Sequence, residues 1–518
     1  MLARTLSAAI RGMEVMTVEV EVNFTAAKGD GNTEPHSSVI IVGLPDAAIR
    51  ESRERIWSAL SQVGVYVKPG KTTINLAPAD LRKSGTAYDL PIALCMMADL
   101  NCLPPTAGLW NTMVIGELAL GGAVRPIHGA LPIAMHAREI GLKRIVVPEE
   151  NAKEAAMAGG IEVYGVKNLQ EAKDLFSGAS SGHRVQVDIN EIFRNQEDDS
   201  LDFSDVKGQE SAKRAITVAA AGGHNLLLIG NPGCGKTLMA KRIPGILPPL
   251  TIEEALEVTK VHSIAGVLDY RSGLVVKRPF RSPHHTVSDG GLVGGSMNPR
   301  PGELSLAHNG VLFLDELPEF RRSTLEVLRQ PLESGEVTLA RASGTFVFPA
   351  KVMLVAAMNP CPCGYYGSRI RQCNCNPFQI ATYRSRLSGP LLDRIDMHIE
   401  VASITHEQLI RRRQGMTTAQ MREMVLKARE IQQRRFVGTT ARCNADMGSK
   451  LMDEFCSLTP DCAEMLQSIV TDLRLSARAY DRILRVSRTL ADLDGKEHLE
   501  VQHIREASGY RFLDRQSW

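Results

Sequence analysis

Asn225-Leu226-Leu227-Leu228-Ile229-Gly230-Asn231-Pro232-Gly233-Cys234-Gly235-Lys236-Thr237 is the stretch on which the fold class turns. Its apolar first half reads as a buried strand, and Leu238 to Arg242 continues as a helix after it. Strand, G-x-x-x-x-G-K-T loop and helix in that order make a phosphate-binding loop. The glycines let backbone N–H groups turn toward a phosphate chain, and the helix N-terminus adds partial positive charge. Gly230 through Thr237 are therefore the expected nucleotide-binding residues. Lys236 is expected at the β- and γ-phosphates and Thr237 on Mg²⁺.

Two more strands complete the expected site. Val311-Leu312-Phe313-Leu314 runs into Asp315-Glu316. Carboxylates at the carboxyl end of such a strand lie where ligands sit in open parallel sheets. Asp315 is expected to hold Mg²⁺ through water, and Glu316 to orient or deprotonate the attacking water. Val352 to Ala357 leads to Asn359, whose amide could touch the γ-phosphate, although an Asn before Pro360 also suits a plain turn. Residues 204–403 alternate strand and helix, which predicts a parallel α/β core. Residues 404–518 have helical period only, with helices over Thr417–Arg435, Ala463–Leu473 and Ala477–Leu493.

Residues 1–176 read as a separate α/β or α+β domain. Met16 to Val22 alternates strictly as a half-buried strand, and Val39 to Val42 and Arg144 to Val147 are short apolar strands. Helices are predicted over Asp46–Leu60, with Arg50, Arg53 and Arg55 facing out, over Tyr88–Leu100 and over Ala134–Ile140. The turn-rich stretch 177–203 is expected to be a linker.

Composition narrows the function. The chain has 518 residues, with 60 Lys plus Arg against 58 Asp plus Glu, a net charge of +2. That excludes a protein that coats nucleic acid through bulk charge, though not a local basic channel. Aromatics at 5% disfavour a stacking surface. No apolar run approaches a membrane span and no secretory segment is evident, so a cytoplasmic protein away from membranes is expected.

The motifs together resemble the AAA+ ATPases, in particular the magnesium-chelatase-like branch and, within it, the ComM/YifB family. The resemblance covers essentially the whole chain. It is carried by the phosphate loop, Val42 to Asp46, Glu51 to Arg55, Lys83 to Ala93, Arg281 to Thr286, Cys361 to Gly364 and Ser388 to Asp396. It implies ATP as the nucleotide and Asn359 as the sensor-1 residue. Arg394 is implied as an arginine finger offered to a neighbouring subunit, and Arg478 as the sensor-2 arginine. An arginine acting in trans implies a ring, a homohexamer. The first domain is similar to the Lon protease domain of the S5-like fold, but Ala87 stands at the nucleophile position and Leu131 at the lysine position. A Ser–Lys dyad is missing, so the domain is expected to be inactive as a protease.

Cys361, Cys363, Cys373 and Cys375 lie within one short segment. In a reducing compartment a zinc site is favoured over a reduced thiol cluster or labile disulfides, although C-x-C is a tight spacing for zinc. The stretch 262–300 is a glycine-rich, basic insert, and 335–348 reads as a hairpin with Arg341 near its turn. Chelatase-like ATPases place two such insertions at the ring's pore, so Lys277, Arg278, Arg281, Arg300 and Arg341 are candidate DNA contacts. Such charges are also commonly a solvated face, as expected for Arg411-Arg412-Arg413. His284 and His285 should point to opposite sides of an extended chain, which argues against a metal site there. The resemblance implies a ring-shaped, ATP-driven helicase promoting branch migration of branched or single-stranded DNA in recombination and natural transformation, with recombination proteins as partners. The alternative is an AAA+ protein-remodelling ATPase.

Overall fold

The structure is a computed structural model. It describes residues 2–26, 38–67, 69–105, 108–194, 201–295, 299–341, 344–368, 371–402, 415–473 and 475–515. Arg411, Arg412 and Arg413 lie outside the described residues. The chain forms two compact units: residues 1–196 with 252–276 and 298–300, and residues 197–251 with 277–297 and 301–518.

The first unit is built on an eight-stranded mixed sheet. Its order is His183–Val185, Glu162–Val166, Arg144–Pro148, Thr112–Val114, Ala3–Arg11, Glu14–Ala26, Gly70–Ala77 and Ser38–Val42. Glu14–Ala26 runs antiparallel to both its neighbours, and Val18, Val20 and Val22 are buried as the alternation predicts. The helix Ala47–Gln62 starts at Asp46, whose carboxylate accepts from the Ile49 N–H at 3.0 Å. Arg55 does not face out as expected. Its Nε pairs with the buried carboxylate of Asp89 at 2.7 Å. Burial holds that carboxyl up at about 6, against the pull of Arg55.

Two expected boundaries change. The stretch 177–203 is not a plain linker, because His183–Val185 adds an antiparallel edge strand and Ile189–Arg194 is a helix. The insert after the phosphate loop does not stay wholly with the ATPase core. The helix Ile252–Ala265 belongs to the first unit, where Ser263 Oγ accepts from the Gly129 N–H at 3.0 Å and bonds the buried Glu154 carboxylate.

The second unit carries a five-stranded sheet in the order Phe280–Arg281, Val311–Leu314, Met353–Met358, Leu226–Gly230 and Met397–Val401, all parallel. Leu226, Leu228, Phe313, Val355, Ala357 and Met397 are fully or almost fully buried. Such strands, covered on both faces, read as continuous apolar runs. The helix Glu210–Gly222 contributes to the same core, as do Met421, Val425, Ile483, Val486 and Leu490 from the C-terminal helices. The fold is therefore a Lon-like α/β domain, a phosphate-loop α/β core and a helical lid. Among the described residues no helix is long and apolar enough to cross a membrane.

Candidate nucleotide site

The central strand Leu226–Gly230 delivers the phosphate loop at its carboxyl end. Gly235 has φ +93°, a conformation that side chains resist, and the helix Lys236–Ala240 begins straight after it. Lys236 is buried and its Nζ donates to the carbonyls of Gly230 at 2.6 Å and Asn231 at 3.1 Å. It also donates to Asn359 Oδ1 at 3.1 Å, so the loop and the tip of strand Met353–Met358 meet on one ammonium. Burial pushes this ammonium below the ordinary lysine range, while Cys234, Asp315 and Glu316 pull it back. A phosphate chain would supply the missing negative charge.

Thr237 Oγ1 donates to Asp315 Oδ2 at 2.6 Å. A hydroxyl and a carboxylate converging this way form the hard-oxygen donor set that Mg²⁺ takes beside substrate phosphates. Asp315 Oδ1 accepts from the Glu316 N–H at 3.0 Å. Glu316 has φ +52°, and its side chain is 56% exposed, aimed out of the sheet end where a water could be held. Non-glycine residues in this region persist where the surrounding structure imposes them, often at functional sites.

Two partners of this cluster were not expected. His285 Nδ1 lies 3.6 Å from Glu316 Oε2. The expectation that His284 and His285 diverge fails, because their ring centroids are 4.1 Å apart. The Val287 N–H bonds the His284 carbonyl at 2.9 Å, and that turn gathers both imidazoles. Tyr383 is the second, its buried hydroxyl pushed up to about 12 by burial while it accepts from the Asn359 N–H. A single Tyr in a short helix of mixed composition carries no signal of this in sequence.

The remaining candidates are placed differently. Arg394 is 12% exposed and pairs with Glu333 at 2.5 Å, and it also donates to the carbonyls of Arg329 and Pro390. Arg394, Arg329 and Glu333 line a cavity of about 470 Å³ that no phosphate-loop residue borders. Arg478 is exposed on the first turn of the helix Ala477–Leu493. It is Arg482, one turn on, that ties the lid to the core through Asp396 at 3.0 Å.

The five candidate DNA contacts divide. Arg278 donates to the carbonyls of Pro248, Pro249 and Asn309, and Arg281 is clamped by both oxygens of Glu303 at 2.7 Å. Internal bonds hold these two guanidinium groups, which are half-buried. Lys277, Arg300 and Arg341 are exposed. Arg341 ends the strand Glu336–Arg341, paired antiparallel with Gly344–Pro349, and its Nη2 lies 3.5 Å from where a Cβ on Gly295 would be. The hairpin tip and the glycine-rich insert thus meet within the second unit. The sulfurs of Cys361, Cys363, Cys373 and Cys375 all lie within 4.8 Å of one another.

Comparison with known proteins gives three family matches. Residues 202–409 match the family described as magnesium chelatase, subunit ChlI, residues 28–151 that described as subunit ChlI of Mg-chelatase, and residues 415–511 its C-terminal family. The chain is 41% identical over 518 residues to the competence protein ComM of Haemophilus influenzae, covering 99% of this chain and 98% of that one. It is 42% identical over 479 residues to the uncharacterized protein YifB of Escherichia coli, covering 92% of each. A shorter match, 29% over 168 residues, links it to Lon protease 2 of Bacillus subtilis, covering 30% of this chain and 29% of that one.

Proposed function

The chain belongs to the ComM/YifB family of magnesium-chelatase-type AAA+ ATPases, and from that premise we propose that it is a ring-shaped, ATP-driven motor that moves branched DNA. The observation that carries the ATPase part is the convergence of Lys236, Thr237, Asp315 and Asn359 on one sheet end, with Glu316 beside them. Arriving phosphates would replace the carbonyls that Lys236 now bonds. Thr237 and Asp315 would hold Mg²⁺, which neutralises charge on the phosphates. Glu316 orients the attacking water and Asn359 faces the γ-phosphate. Arg394, held away from its own phosphate loop, is offered to the nucleotide of the next subunit, so turnover requires the assembled ring.

The DNA part rests on full-length likeness to a competence protein and on the exposed cations Lys277 and Arg341. Six copies of a few pore-facing cations would concentrate positive field in one channel while the net charge stays near zero. A protein-remodelling role of the chelatase type is favoured by the family matches alone. Zinc is the ion we assign to the four-thiol cluster, in addition to ATP and Mg²⁺. The test is DNA binding by Glu316→Gln, which should bind ATP and hydrolyse it slowly. With ATP it should bind forked and four-way DNA in a salt-sensitive manner. ATP-bound protein that shows no such binding would reject the motor and favour remodelling.

A further inference from the structure

The segment from Cys361 to Asn376 links the four-thiol cluster to the phosphate loop. Three of the sulfur separations are 3.4 Å between Cys361 and Cys363, 3.5 Å between Cys363 and Cys373, and 3.7 Å between Cys361 and Cys373. A disulfide brings sulfurs to about 2.05 Å. Four sulfurs about 2.3 Å from a central zinc stand about 3.8 Å apart at tetrahedral corners. The three separations match the second geometry, and Cys375 Sγ lies within 4.8 Å of the other three sulfurs. Peptide N–H groups of Tyr365 and Asn374 donate to Cys363 Sγ, and that of Cys375 donates to Cys373 Sγ at 3.4 Å. Donors of this kind orient thiolate ligands and stabilise their charge.

Both ends of the segment return to the nucleotide site. Cys361 follows Asn359, the acceptor for Lys236, by two residues. The turn after Cys363 is pressed onto the phosphate loop. A Cβ on Gly364, where φ is +82°, would lie 2.6 Å from Cγ and Cδ of Pro232. Past the second thiol pair, Asn376 and Gln379 form a capping box that starts the helix Pro377–Arg384. That helix carries Tyr383 back to the Asn359 N–H and Arg384 to the Pro360 carbonyl at 3.3 Å. Among the described residues from Cys361 to Asn376 there is no helix or strand. The thiol cluster is what can fix the shape of this loop.

We propose that one zinc ion bound by Cys361, Cys363, Cys373 and Cys375 braces the phosphate loop through Gly364 and Pro232, so that nucleotide binding depends on the metal. The four cysteines act as positioning residues and take no part in hydrolysis. The proposal rests on Gly230–Thr237 being the ATP site and is independent of the DNA reading.

The experiment measures zinc content and the affinity for a fluorescent ATP analogue on the full-length protein. It compares the protein as purified, after removal of metal by chelator, and after zinc is returned. About one zinc per chain is expected, with nucleotide affinity falling about tenfold or more on stripping and recovering on zinc addition. Two variants support the arms. Cys373→Ser/Cys375→Ser should lose both zinc and affinity. Gly364→Ala should keep zinc and still weaken nucleotide binding, because it leaves the four thiols in place and disturbs the turn that meets Pro232. Circular dichroism on each sample shows whether the fold persists. Absence of zinc from chelator-free protein, or affinity unchanged by stripping in folded protein, overturns the proposal. A zinc-loaded chain that binds no nucleotide contradicts the ATP site itself, and the brace with it.

Discussion

Glu316 and His285 illustrate what one residue can and cannot announce. An acid after a buried apolar run points to a sheet-end carboxylate, and that much was legible, as was Asp315 beside it and as were Lys236 and Thr237 from the G-x-x-x-x-G-K-T loop; Asn359 before Pro360 read equally as a turn. The neighbour His285 was not. It reaches Glu316 through a turn closed by the Val287 N–H, and a turn of that kind leaves no periodic trace. An imidazole 3.6 Å from the carboxylate can hold it in its working orientation. His285→Ala should therefore lower kcat for ATP about tenfold, with KM for ATP little changed, because it acts on water orientation rather than on the phosphates. Steady-state ATPase kinetics check this, and a matching rise in KM would place His285 in nucleotide binding instead.

Elements were legible where their periods were long. The lid helix Thr418–Arg435 is one such, with Thr417 and Gln420 closing a capping box at its start. Thr417→Ala should cost about 1 kcal/mol of stability in urea unfolding with no change in ATP affinity. The two outer strands of the ATPase sheet were missed for identifiable reasons. Phe280–Arg281 is too short to show a period, and buried His398 interrupts Met397–Val401. The stretch taken as a linker hides the edge strand His183–Val185, whose His183 and Arg184 are polar because an edge strand is partly solvated. Arg55 was misplaced because its charge suggested solvent, while its partner Asp89 lies 34 positions away.

At the scale of the molecule, two properties depend on contacts that no local pattern records. One is the membership of residues 252–276 in the first unit, although the chain reaches them after the phosphate loop. The other is acid sensitivity. His224, fully buried beside Thr489 at 2.8 Å and near Asp396, is held down to about 4, mainly by burial. His398 is depressed well below its ordinary range by burial and by Arg511 and Arg482. For each, the unfolded chain binds a proton that the folded one refuses. Each histidine's contribution to stability is therefore full above about pH 6.5 and is lost as pH falls below it, for His224 down toward pH 4. His224 alone should cost about 2 kcal/mol between pH 7.5 and pH 5. Urea midpoints of the unaltered protein and of His224→Gln at the two pH values check this: the variant should lose less stability toward pH 5, and an equal loss in both would contradict it.

The proposed motor couples ATP turnover in an assembled ring to movement of DNA. The most direct measurement is branch migration of a synthetic four-way DNA by the full-length protein with ATP and Mg²⁺, beside Arg394→Ala at equal concentration. The unaltered protein is expected to convert the junction to its separated duplex products only while ATP is hydrolysed. Arg394→Ala should assemble and bind DNA, yet show neither turnover nor migration. Brisk ATP hydrolysis that leaves every branched DNA unchanged, or full turnover by assembled Arg394→Ala, would contradict it.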